Sequence, residues 1–121
     1  MSAKSVVETY VRAWHERDES TRRKLLEESW AADGVYTDPR VTVESREALV
    51  AHIAWFHEVR PDVRIEVRSD IDEHGRFFRF AFATVDPTGT VLLEGVDFGQ
   101  LDADGRIASI TAFFGPLPAS R

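Results

Sequence analysis

Residues 77–101, FFRFAFATVDPTGTVLLEGVDFGQL, decide the fold. Phe78, Phe80 and Phe82 recur at every second position with Phe77, Arg79, Ala81 and Ala83 between them, the period of a strand with two distinct faces. Pro87-Thr88-Gly89 turns the chain, and Val91–Leu101 reads as the next strand. Upstream, Val63, Ile65 and Val67 alternate with Arg64, Glu66 and Arg68, and Glu73-His74-Gly75 turns that strand toward Phe77. Downstream, Asp102-Ala103-Asp104-Gly105 leads into a last strand at 107–114, its glycine supplying the positive φ such a turn needs. Gly115-Pro116-Leu117-Pro118 cannot continue it. The C-terminal half therefore reads as an antiparallel meander.

The N-terminal half changes period from 2 to about 3.6. Val6, Val7, Tyr10, Val11, Ala13 and Trp14 share one apolar helix face, with Ser5 and Glu8 spaced as a capping box, so a helix is expected over 6–17. Leu25, Leu26, Ser29 and Trp30 suggest a second short helix, started by Ser20 and ended by Ala32-Asp33-Gly34. Residues 35–38, VYTD, read as a short strand stopped by Pro39. Ser45 caps a third helix carrying Leu49, Ile53 and Phe56, with Val59 near its end and Pro61 terminating it. Helices first and strands last make a single α+β domain over 1–121, its helices covering one face of the sheet.

Composition narrows the function. The 121 residues carry no cysteine, which removes disulfides, thiolate nucleophiles and zinc ribbons. A net charge of −6 disfavours contact with nucleic-acid phosphates. The opening MSAKSVVETY has no signal-peptide core and no long apolar run follows, so a cytoplasmic protein without membrane contact is expected. There is no phosphate-cradling glycine loop, dinucleotide fingerprint or nucleophile elbow, and no metal or cofactor is expected. His52 and His57 lie about 140° apart around a helix and cannot share an ion.

What remains is carboxylates in apolar company. Asp38 lies in Val35-Tyr36-Thr37-Asp38-Pro39, and Asp97 in Gly95-Val96-Asp97-Phe98-Gly99. A buried carboxylate rises in pKa and becomes a proton carrier near neutral pH. Gly95 and Gly99 share the face of Asp97, leaving space beside its carboxyl group that a ligand could use. Two plainer readings stay open: the glycines as curvature points of a bent sheet, and Asp38 as turn chemistry before proline.

Taken together, the helix ending near Ala13-Trp14, the Val35-Tyr36-Thr37-Asp38-Pro39 strand, the Gly95-Val96-Asp97-Phe98 strand and the Asp104-Gly105-Arg106-Ile107 turn leading to Phe113-Phe114-Gly115-Pro116 resemble the nuclear-transport-factor-2-like superfamily. The resemblance is strongest to its SnoaL-like branch and covers almost the whole chain. It implies a cone-shaped, curved antiparallel sheet packed against three N-terminal helices around an apolar cavity, a small apolar ligand, and a homodimer formed through the sheet. Within the superfamily, ketosteroid isomerase works with a base Asp beside a Tyr and a neutral Asp that hold an enolate. The resemblance carries those roles to Asp38 as base and to Tyr10 and Asp97 as hydrogen-bond donors. SnoaL-type polyketide cyclases place an acid on a late strand, which Asp97 would match. The limonene-epoxide-hydrolase branch offers a competing match through Tyr36, Asp38, Arg79 and Asp97, but has an Asp where this chain has Ala81. A binding or dimerisation module of the same fold, with both carboxylates structural, is the non-catalytic alternative.

Trp14, Tyr36, Trp55, Phe56, Phe80, Phe82, Phe98 and Phe113 are the expected cavity walls, though Trp14, Trp30 and Trp55 also suit a filled core. Arg79 is expected to pair with Asp38 or Glu94 or to face a dimer partner. His57 and the run Arg22-Arg23-Lys24 read as solvated helix faces.

Overall fold

The computed structural model describes residues 2–120. Three helices and seven strands follow in the order α1 (Ala3–His15), α2 (Glu19–Ser29), β1 (Trp30–Asp38), β2 (Val41–Glu44), α3 (Arg46–Val59), β3 (Arg64–Val67), β4 (Asp72–His74), β5 (Phe77–Val85), β6 (Val91–Leu101) and β7 (Ile107–Phe114). Each helix starts on a side-chain oxygen that satisfies a first-turn N–H. Ser45 accepts from the Ala48 N–H as expected, whereas α1 starts on Ser2 rather than Ser5, and α2 on Asp18 rather than Ser20.

The strands form one sheet in the order β2-β1-β7-β6-β5-β3, with β4 adding to β5. All neighbours are antiparallel except β1 and β7, which run parallel, so the curved sheet is mixed. That parallel pairing explains the end of α2. Trp30 caps α2 through its N–H on the Leu26 carbonyl and at once begins β1, pairing with Ile107, and the Asp33-Gly34 that reads as a helix stop lies inside the strand. The Trp30 indole is fully buried over Gly34, where a Cβ would overlap its ring, and it stacks on Tyr10 at 5.3 Å between centroids.

The period-2 reading of β5 holds: Phe78, Phe80 and Phe82 are buried, and Phe77 and Arg79 are exposed. The inward phenylalanines join Val6, Val7 and Tyr10 of α1 and Leu49 and Ile53 of α3 in one core, so the helices cover the concave face. Arg22 is not solvated. It is 3% exposed, and its guanidinium donates to the Glu16 and Arg17 carbonyls, which closes the turn between α1 and α2. No helix among the described residues is long and apolar enough to cross a membrane.

Candidate active site

Between the helices and the sheet lies a cavity of about 720 Å³. Tyr10 and Trp14 reach it from α1, one turn apart; Tyr36 and Asp38 from β1; His52, Trp55 and Phe56 from α3; Phe80 and Phe82 from β5; and Asp97 from β6. Strand alternation fixes the sheet contribution, because Phe80 pairs with Asp97 and Phe82 with Gly95 across β5 and β6, all facing inward.

Asp38 is firmly oriented. Its Oδ1 accepts the backbone N–H groups of Arg40 (2.8 Å) and Val41 (3.1 Å), and its Oδ2 accepts the Tyr36 hydroxyl at 2.9 Å. Turn chemistry and a cavity position therefore coexist in one side chain. Asp97 is 8% exposed and has no hydrogen-bond partner among the described residues. Burial, reinforced by the charge of Asp38, pushes its pKa up to about 7. The same burial, with Asp97 adding to it, raises Tyr10 well above the ordinary phenol value, so its hydroxyl keeps its proton. Tyr36 is raised for the same first reason, with Tyr10 and Asp38 adding to it. The cavity thus brings together an oriented carboxylate, a carboxyl that is neutral below about pH 7 and two phenols that stay protonated.

Several expectations need correction. Phe98 and Phe113 are 46% and 62% exposed on the convex face and do not line the cavity. Both follow from alternation, since the residue beside an inward Asp97 must point outward; Phe114, the neighbour of Phe113, lines the cavity instead. Gly95 and Gly99 leave no room for a ligand. A Cβ at Gly95 would overlap the Phe82 ring, and one at Gly99 the Phe78 ring, so cross-strand phenylalanines fill the gaps. Arg79 pairs with a carboxylate, but with Asp72 at 2.8 Å and not with Asp38 or Glu94; it lies on the convex side, where its alternative placement toward a dimer partner put it. His57 is not a solvated face: its Nε2 lies 2.6 Å from the Trp14 carbonyl, tying α3 to the end of α1.

His52, Arg40 and Arg60 line the cavity and were not among the expected site residues. The signal for His52 was present, because it stands four residues before Phe56 on the same helix face. Its ring lies 5.4 Å from Trp55, stacked, and 5.9 Å from Tyr36, and burial lowers its pKa against an opposing pull from Asp38. Trp55 itself is 53% exposed, a rim residue and not core. No cluster of three or more metal-ligating side chains occurs among the described residues.

Among curated proteins none matches this chain. Solved structures do. A SnoaL-like protein of Agrobacterium tumefaciens C58, provisionally classed as an isomerase, is 30% identical with a TM-score of 0.86 over 93% of this chain and 96% of its own. A SnoaL-like protein of Jannaschia sp. CCS1, provisionally classed as a polyketide cyclase, is 20% identical with a TM-score of 0.67 over 94% and 89%. An NTF2-like protein of unknown function from Cytophaga hutchinsonii is 13% identical with a TM-score of 0.71 over 96% and 92%, a likeness of fold. The sequence profile of the SnoaL-like domain matches residues 7–110, most of the chain. With the curved sheet, the three helices and the cavity between them, that match makes this chain a member of the SnoaL-like family.

Proposed function

We propose that this chain is a cofactor-independent isomerase or cyclase that moves a proton on an apolar substrate bearing a carbonyl group. The observation that carries this reading is Asp97, a buried carboxyl held neutral to about pH 7 in the same cavity as Asp38 and the Tyr10 hydroxyl. Asp38 takes a proton from the carbon next to the carbonyl. Charge moves onto the carbonyl oxygen, where Tyr10 and neutral Asp97 donate hydrogen bonds to the enolate. Protonated Asp38 returns the proton to a second carbon in an isomerisation; in a cyclisation the enolate carbon attacks a second carbonyl carbon of the same substrate, that C=O π bond opens to an alkoxide, and protonated Asp38 gives its proton to the alkoxide. Trp14, Tyr36, Trp55, Phe56, Phe80 and Phe82 hold the apolar body. The isomerase classification of the Agrobacterium relative supports this reading. The geometry does not favour water activation on an epoxide, because Arg79 lies on the convex face. A cytoplasmic homodimer meeting through that convex face completes the proposal.

The test is steady-state kinetics on 5-androstene-3,17-dione and on small polyketide-like ketones. A positioned base is worth roughly 10² to 10⁴ and an oxyanion donor roughly 10² to 10³, so Asp38→Asn should lose more turnover than Tyr10→Phe or Asp97→Ala. Because Asp97 must be protonated to donate, activity should fall as pH rises through about 7. Activity that climbs steadily across that range, or an Asp38→Asn variant as fast as the wild type, would overturn the assignment. Ligand binding without turnover on any of these substrates would favour the non-catalytic module.

A further inference from the structure

The cavity lining runs from buried residues to exposed ones, and two arginines belong to the exposed set. Along β5 and β6 the inward register pairs Phe80↔Asp97, Phe82↔Gly95 and Thr84↔Leu93 follow one another, from buried at Asp97 to half-exposed at Thr84 and Leu93. Four residues separate the ends, roughly 13 Å at about 3.3 Å per strand residue. Arg40 and Arg60 line the cavity and are exposed, which places them at its mouth. Arg60 stands at the C-terminal end of α3 and donates to the Val59 carbonyl. Arg40 holds its guanidinium 5.3 Å from the centre of the Phe114 ring, and its side chain makes no hydrogen bond among the described residues. Neither arginine has a carboxylate within ion-pair distance among those residues. The nearest acid in sequence, Asp38, is already bonded to Tyr36 and to two backbone N–H groups.

A guanidinium resting on an aromatic face keeps its in-plane donors available, and their fork matches an anionic oxygen pair. Asp38, half-buried on the same lining, opposes an anion that moves toward it. We propose that the ligand is an amphiphile, with an apolar body whose far end carries a carboxylate, sulfonate or phosphate group held at the mouth by Arg40 and Arg60. Anchoring that end directs the opposite end toward Asp97. The identity of the inner group as a carbonyl rests on the proton-transfer reading above; the anion site does not.

Two fluorescent probes with one aromatic body test this, 8-anilinonaphthalene-1-sulfonate and the neutral N-phenyl-1-naphthylamine. Wild-type protein should bind both, and added salt should weaken only the sulfonate. Replacing both arginines (Arg40→Gln with Arg60→Gln) should weaken the sulfonate about tenfold or more while the neutral probe stays within about twofold. These exposed positions carry little of the fold, and the neutral probe reports any change in the cavity itself. Unchanged sulfonate affinity in the double variant, equal weakening of both probes, or no sulfonate binding by the wild type overturns the proposal. Asp38→Asn and Asp97→Ala, measured with both probes and for turnover, separate the two ideas: they should lose turnover and keep the charge preference. Turnover that depends on Asp38 without any charge preference sinks the anion site alone.

Discussion

Burial and the charge of Asp38 together keep the Asp97 carboxyl protonated to about pH 7, and folding bears the cost of any ionisation. The folded-state pKa lies above the unfolded value near 3.9, so the folded chain holds a proton that the unfolded chain releases. Stability is therefore greatest below about pH 4 as far as this group goes, and is lost as pH rises toward 7. Between pH 5 and 7 the loss is two pH units, roughly 2–3 kcal/mol for this one group. Asp97→Asn removes the ionisation and keeps the shape, so its stability relative to wild type should improve from pH 5 to pH 8. Paired denaturant melts at both pH values check this; a difference that does not change with pH would show that Asp97 titrates like an exposed carboxylate. His52 acts in the opposite sense. Its lowered pKa favours folding above about 6.5, and that contribution is lost as pH falls. Asp97 was legible because a lone acid inside an apolar, strand-period stretch is costly unless it has a task. His52 was only half legible: its i, i+4 spacing to Phe56 puts it on that helix face, but a histidine there looks the same whether it meets water or a cavity.

At the scale of elements, β6 shows both the reach and the limit of strand arithmetic. Alternation correctly put Gly95, Asp97 and Gly99 on one face. It could not say what fills the space above a glycine, because that depends on the ring rotamers of the neighbouring strand. Phe78 is 1% exposed and lies directly across from Gly99, so the missing Cβ is the room its ring occupies. Gly99→Ala should cost about 1–3 kcal/mol by overpacking. Phe78→Leu shrinks the ring and should relieve part of that strain, so the double variant should be less destabilised than the sum of the two. Additive losses in chemical denaturation would mean that the two side chains do not compete for the same space. The ends of α2 were hidden for a related reason. Trp30 extends helical spacing by one more residue, but its pairing with Ile107, 77 positions away, is a tertiary contact that no local pattern reveals. Arg22 likewise reads as part of a charged run, and only the turn back from α1 shows two carbonyls waiting for its guanidinium.

Over the whole molecule, the strands that wall the cavity also form its convex surface, and alternation sets aromatic residues on both sides. Phe77 and Phe98 stack at 6.1 Å on the outside, and Phe113 lies across from Val96 on the next strand, giving an apolar strip over β5, β6 and β7. In a chain of net charge −6 this strip is poor in charge: Arg79 is already paired with Asp72, and Glu94 stands toward one end. An exposed aromatic strip of this kind is stabilised by a surface of like character, and a second copy of the same chain supplies one through two-fold symmetry. Wild-type protein at micromolar concentration should therefore sediment as a two-chain species. Phe98→Glu combined with Phe113→Glu sets unpaired charges into the middle of that contact and should leave a single chain. Because both side chains point away from the cavity, the neutral naphthylamine probe should bind the variant within about twofold of wild type. A single-chain mass for the wild type, or a two-chain species that survives both glutamates, would place the interface elsewhere. Loss of probe binding along with the dimer would mean instead that the partner copy helps to hold the cavity in shape, coupling the two faces of the sheet through Val96, Asp97 and Phe98.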